Sequence, residues 1–328
     1  MILLGVWFWF SLPATLFHAP TSYILEDKEG NLLNAMIAED GQWRFPPGKD
    51  LPKKFVDCIV TYEDKRFFYH PGVDPGALVR AIIHNTKNKT GRQGGSTLTM
   101  QVIRLWKQNN KRTIWNKAKE SILALRLECS YSKKEILNLY ASNAPFGGNV
   151  VGLEAAAWRY YGRNPSNLSW GEMAALAVLP NAPSLVHPGK NRDILLQKRN
   201  SLLDKLVQEN KIDAASGDLA KLEPLPGMPN ALPQLAPHLF QRFKKDHIPG
   251  QTTRLKTSID PVLQLNTANI IQQHHNRLKG NGINNLCALV MRVETGEVLA
   301  YIGNVNDPKN KETEAAVDII AAPRSPGS

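Results

Sequence analysis

The chain predicts a mainly α-helical protein with a short β-rich lead-in and an α+β segment towards its C-terminus. Three observations predict it. From about Pro52 to Arg242 the pattern is helical, with recurring helix-start signals. Residues 22–48 carry two strand-like pieces with turn signals at Glu29-Gly30-Asn31 and Asp40-Gly41. Beyond about residue 250 come a strand, a helix, and the hairpin CALVMRVETGEVLAYIGN, whose apolar runs flank Glu294-Thr295-Gly296-Glu297.

Taken in order, the elements have local reasons. MILLGVWFWFSLPATLFHAPTSYIL carries no charged residue before Glu26. About 20 mostly apolar residues cross a bilayer, and residues 1–21 reach that length if Pro13 is tolerated. A cleaved signal peptide is the alternative, but there is no basic n-region and FHA is a poor cleavage site, so a retained anchor is expected. No cation precedes the span, so its orientation is not fixed by charge. Residues 22–51 form the β-rich lead-in. Pro52 suits a first helical turn. Asp74-Pro75 reads as an N-cap with Pro at the first position, opening a helix to about His84, and Ser96 caps another to about Trp106. Ser132/Glu135 and Ser169/Glu172 are capping boxes, the second helix ending near Pro180. Between the helices at 74–84 and 96–106, HNTKNKTGRQGG (84–95) reads as a mobile basic loop, and residues 222–238 as a Pro-rich linker or wrap.

A chain of 328 residues suggests about two domains. Lys and Arg outnumber Asp and Glu by 40 to 29, a net charge of +11 that favours anionic partners. No zinc-finger spacing or nucleic-acid motif is visible, which leaves a membrane or phosphorylated substrates rather than nucleic acid. Cys58, Cys129 and Cys287 are scattered and odd in number; they read as small buried hydrophobes, not as a disulfide framework or metal site.

Chemistry concentrates in a few stretches. If residues 55–67 are helical, Val56, Val60, Glu63 and Phe67 share a face and Asp64 is turned about 100° away. A carboxylate on an apolar stripe suits proton transfer; a buried Glu paired with Arg or capping a helix is the other reading. In GGSTLTMQVIRLW, Gly94-Gly95 permit close backbone approach, Ser96 and Thr97 offer an anion seat at a helix start, and Thr97, Gln101 and Arg104 line one face. A solvated face is the alternative. Lys117 and Glu120 lie three apart on another helix, as a surface ion pair or as part of a site. Lys87, Lys89, Arg92, Arg104, Lys111, Arg112 and Lys117 gather nearby, suiting a pyrophosphate or an acidic headgroup.

EDKRFFYHPG, GGSTLTMQ, the Lys117/Glu120 stretch and EILNLYASNAPFGGNVVGLEAAAWRYYGR occur in that order and together resemble the successive motifs of the peptidoglycan glycosyltransferases, glycosyltransferase family 51. DGQWRFP, NAPFGGN and VLPNAPS are similar to the penicillin-binding protein 1C type. The resemblance implies a lysozyme-like helical transferase domain over 52–245. It implies a single-pass signal-anchor at 1–21, with the catalytic part outside the bacterial inner membrane. Residues 246–328 would be a linker and an incomplete transpeptidase start. The substrate would be lipid II and the growing glycan strand. Glu63 would be the general base that deprotonates the acceptor 4-hydroxyl, giving a β-1,4 linkage with inversion as undecaprenyl pyrophosphate leaves. Glu120 would be the second motif acid, supporting the donor site. Arg104 and Lys117 would face the pyrophosphate, and Ser96, Thr97 and Gln101 the donor. Asp64, Phe67 and His70 would shape the cleft, and loop 84–95 would be its lid. No metal-ligand cluster is visible, so any Mg2+ would ride on the substrate. Other cell-wall synthesis proteins are candidate partners.

Two positions depart from the family pattern: Asn116 stands where Arg is usual and Met100 where Gln is frequent, changes expected to weaken donor binding. Ser328 matches the transpeptidase nucleophile, but the Lys three residues on and the later motifs are absent, so no transpeptidase activity or β-lactam adduct is expected. The rival readings are a lysozyme-like lytic enzyme and a non-catalytic lipid-II-binding or scaffold protein.

Overall fold

The computed structural model describes residues 8–48, 50–87, 95–108, 113–181, 189, 191–305 and 314–323. The chain divides into two compact units that are not consecutive stretches. One comprises Met1–Pro20 and Asp40–Asn230, the other Thr21–Glu39 and Ala231–Ser328. The β-rich lead-in is thus shared between them, and the Pro-rich stretch straddles the division.

In the second unit, β1 (Tyr23–Glu26) pairs antiparallel with β2 (Leu32–Met36). In the first, β3 (Trp43–Arg44) precedes eight helices of the described residues: α1 (Lys53–Glu63), α2 (Pro75–Lys87), α3 (Leu98–Lys107), α4 (Ile114–Glu128), α5 (Lys133–Asn143), and, after β4 (Val150–Val151), α6 (Leu153–Tyr161), α7 (Trp170–Val178) and α8 (Arg192–Gln208). Helix α9 (Ala214–Leu222) closes that unit; α10 (Pro237–Asp246), β5 (Arg254–Lys256), α11 (Pro261–Leu278) and the hairpin β6 (Ala288–Met291)–β7 (Val298–Ile302) complete the second. Strand β5 joins β1 in parallel, making a sheet of order β2-β1-β5. The strand, helix and hairpin expected beyond residue 250 are all present, as are both capping boxes.

Helix α7 is the centre of the helical unit. Gly171 and every residue from Met173 to Leu179 are buried. A helix apolar on all sides belongs inside a core, and its alanines let α1, α8 and α9 pack around it. A 3-10 turn, Leu179–Asn181, ends it beside Pro180. Helix α3 packs on α4 and α5.

Several local expectations change. The anchor expected over 1–21 begins in residues outside those described. From Ser11 the chain is turns and extended backbone broken by Pro13 and Pro20, and among the described residues no helix is long and apolar enough to cross a membrane. Arg126 fixes this segment, donating to the Trp9 carbonyl at 2.9 and 3.1 Å with its guanidinium 4.6 Å from the indole. Helix α1 stops at Glu63 rather than running to 67, because Asp64 turns out of the helix as its C-cap; Phe67 lies on a separate 3-10 turn. Helix α2, capped by Asp74 Oδ1 accepting from the Ala77 N–H at 2.9 Å, runs to Lys87 and takes in the first part of the expected loop; 88–94 lie outside the described residues. The cap of α3 is Thr97, not Ser96: its Oγ1 accepts from the Met100 N–H at 3.2 Å. Cys58 is buried, whereas Cys129 is exposed and Cys287 half-buried.

The loop from α1 to α2 depends on Gly72. Its φ is +91°, and a Cβ there would stand 2.8 Å from the Ala124 carbonyl oxygen. Gly72→Ala is expected to lower the unfolding free energy by about 2–4 kcal/mol through backbone strain and overpacking, measured by urea denaturation.

Candidate active site

Helix α3 organises the site. Gln101 and Arg104, three residues apart, point along one face, and each binds one acid. Gln101 Nε2 donates to Glu63 Oε2 at 2.7 Å. Arg104 grips Glu120 in a fork, Nη2 to Oε2 at 2.7 Å and Nε to Oε1 at 3.2 Å, and its Nη2 also reaches Ser96 Oγ at 3.3 Å. Glu63 ends α1 and Glu120 lies on α4, so three helices bring the two carboxylates to adjacent turns of one strip.

The two acids are held differently. Glu63 is met by amides, Gln101 on one oxygen and Asn181 Nδ2 on the other at 3.1 Å. Burial pushes its carboxyl above the usual carboxylate range; Gln101, Asn181 and the charge of Lys198 pull the other way, and neighbouring Asp64 adds to the push. Glu120 is buried against a bidentate guanidinium. Lys117 is half-buried one helical turn before Glu120, and its ammonium has no hydrogen-bond or ion-pair partner among the described residues. Burial and then the Arg104 charge press its pKa below the ordinary lysine range, with Glu120 opposing. Two cations share one carboxylate here, so the corner carries excess positive charge.

The first motif is mostly structural. Asp64, Phe67 and His70, expected to shape the cleft, are buried. Asp64 Oδ2 accepts from the Leu98 N–H at 3.0 Å, and both its oxygens lie 3.0 Å from His70 Nε2. His70 Nδ1 accepts from the Gly72 N–H at 3.1 Å, which places the ring proton on Nε2, facing Asp64. Thr97 is buried and donates to the Gly72 carbonyl at 2.6 Å. The expected anion seat at the start of α3 is therefore filled by the protein's own Asp64 and Thr97. Phe67 packs under Lys133, whose Nζ is 4.4 Å from the ring centroid and donates to the His70 carbonyl at 2.7 Å. Met100, the departure from the family pattern beside Gln101, is fully buried.

Of the expected site residues, Glu63, Gln101, Arg104, Glu120, Lys117 and Ser96 thus come together, while Asp64, Phe67, His70 and Thr97 lie behind them. Lys89, Arg92, Lys111, Arg112 and Ser328 lie outside the described residues. Sequence reasoning missed Asn181, Lys198 and Tyr140. Asn181 falls within VLPNAPS but 118 positions from Glu63, a separation with no local signature. Among the described residues no cluster of His, Cys, Asp or Glu has the make-up of a metal site.

A buried carboxylate held by two amides thus stands beside a cation-rich corner on the same helical strip. The family described as Transglycosylase matches residues 29–207. The chain belongs to this transglycosylase family. It is 33% identical over 317 residues to penicillin-binding protein 1C of Escherichia coli (strain K12), covering 96% of this chain and 40% of that protein. It is 35% identical over 192 residues to penicillin-binding protein 1A of Haemophilus influenzae, covering 58% and 22%, and 37% identical over 192 residues to penicillin-binding protein 1A of Pseudomonas aeruginosa, covering 58% and 23%. The chain spans two fifths or less of the length of these relatives.

Removing the Asp64 carboxylate leaves the Leu98 N–H and His70 Nε2 buried without an acceptor. Asp64→Ala is expected to cost about 2–3 kcal/mol of stability in thermal or urea unfolding, with Asp64→Asn costing less.

Proposed function

We propose that this chain is a peptidoglycan glycosyltransferase that polymerises lipid II into β-1,4 glycan strands with inversion. One observation carries the reading: Gln101 and Arg104, one turn apart on α3, hold Glu63 and Glu120 on a single strip. Glu63 takes the proton from the acceptor 4-hydroxyl, that oxygen bonds to C1 of the donor sugar, and the bond from C1 to phosphate breaks. The electron pair leaves with undecaprenyl pyrophosphate. Arg104 and Lys117 receive the charge that develops on the departing phosphate. Glu120 fixes Arg104, and Ser96 and Gln101 complete the donor wall. Both Glu120 oxygens are engaged by Arg104, so a divalent cation, if used, rides on the substrate's phosphates.

A membrane location, with the catalytic part on the periplasmic side of the inner membrane, follows from a substrate carried on a lipid. Exposed Trp9 and Phe10, with Trp115, Ile122 and Leu125 of α4 also exposed, support it. The second unit is read as part of a transpeptidase domain, a reading supported by the 1C match running through it. Other cell-wall synthesis proteins are the expected partners.

Purified chain given lipid II is expected to form glycan polymer. Glu63→Gln is expected to lower the rate by a factor of about 100 or more, the contribution of a positioned general base. Lys117→Ala is expected to weaken donor use by about tenfold in kcat/KM. Polymeric glycan offered alone is expected to stay intact. Cleavage of that glycan, or lipid II binding without polymer, overturns the reading.

A further inference from the structure

Gln101 accounts for only one oxygen of the Glu63 carboxylate. The other belongs to a line of groups that runs from Asn181 to α8. Asn181 Nδ2 donates to Glu63 Oε1 at 3.1 Å, and Asn181 Oδ1 accepts from Lys198 Nζ at 3.3 Å. An ammonium can only donate and a carboxylate can only accept, so a single orientation of the Asn181 amide satisfies both ends. Asn181 is placed by the 3-10 turn that ends α7, and Lys198 by the middle of α8, which packs against both α7 and α1.

We propose that Asn181 and Lys198 are positioning residues for the general base, holding the Glu63 carboxylate in one orientation and in its proton-accepting form through a Lys–Asn–Glu line. The proposal rests on Glu63 being that base. Two amides on opposite oxygens fix the plane of the carboxylate, and its remaining lone pairs then face a constant direction, towards the acceptor hydroxyl. The cation at the far end offsets the burial that otherwise favours the protonated acid.

The other groups around Glu63 do not duplicate this effect. On its own helix, Tyr62 is a phenol that burial drives upward, and Asp64 is committed to His70 and Leu98. From α5, Tyr140 faces the same carboxylate as a fully buried phenol, its pKa also raised by burial. On α3, Arg104 is engaged by Glu120. On α7, Glu172 is paired with Arg163. Beyond α8, Glu209 is bound by Lys65, Lys211 and Thr61. Among the described residues, Lys198 is the cation whose charge bears on Glu63.

The test is the pH profile of lipid II polymerisation by the full chain, from about pH 5 to about pH 9, for wild type, Lys198→Met, Lys198→Arg, Asn181→Leu and Glu63→Gln. Loss of the cation or the amide lets Glu63 protonate at higher pH, so the acidic limb moves up in Lys198→Met and Asn181→Leu. Against wild type, the loss is expected to be about tenfold greater on the acidic limb than on the alkaline plateau. Lys198→Arg is expected to restore the wild-type profile. An equal loss at every pH, with Arg no better than Met, overturns the proposal and leaves the base assignment standing. Polymer formation by Glu63→Gln at the wild-type rate overturns the base assignment instead. If Lys198→Met fails to fold by circular dichroism, Asn181→Leu and Lys198→Gln decide by the same limb.

Discussion

The buried carboxylate of Asp64 is the constraint on which the site depends. It sits where α1 ends and accepts from the first backbone N–H of α3, so it joins the helix that carries Glu63 to the helix that carries Gln101 and Arg104. Its second partner, His70, is held by the Gly72 N–H, and the Gly72 carbonyl takes the hydroxyl of Thr97, the cap of α3. The chain of contacts closes on itself within a few residues. A buried charge is costly unless its acceptor sites are filled, and here they are. Displacing any member moves Glu63 relative to Gln101.

Behind that brace, two carboxylates are held in different ways because their donors differ. Neutral amides hold Glu63, and an amide hydrogen bond leaves a carboxylate able to take up a proton. A bidentate guanidinium holds Glu120, a charge-assisted contact of fixed geometry. Lys117 then lies beside a cation already matched to its acid, and burial and that cation press its pKa down. Environment rather than residue type separates the two glutamates.

Much of this was legible in the sequence where the signal is local. Capping boxes, Asp74-Pro75 and the Thr295-Gly296 turn were read correctly because each needs only neighbours within a few residues. The face joining Gln101 to Arg104 followed from helical spacing. Long-range pairing was not legible. Nothing local shows that the partners of Asp64 are His70 and the Leu98 amide. Thr97 looked like an open donor for the same reason, and Ser96 like the cap, since either hydroxyl satisfies the pattern one residue apart. Asn181 and Lys198 belong to the site only because α7 and α8 pack on α1. The division into units was also hidden, since it rests on strands far apart in the chain.

That separation has a consequence for how the protein is made. Strand β1 completes its sheet with β5, and the neighbouring hydroxyls of Thr21 and Thr253, 2.7 Å apart, are 232 positions apart in sequence. At about 5–20 residues per second, a ribosome emits the intervening helices for roughly 10–50 s before β5 emerges. Throughout that interval the β1–β2 hairpin offers a bare backbone edge, the kind of surface that recruits foreign strands. That edge is closed only when β5, the last strand of the three, reaches it.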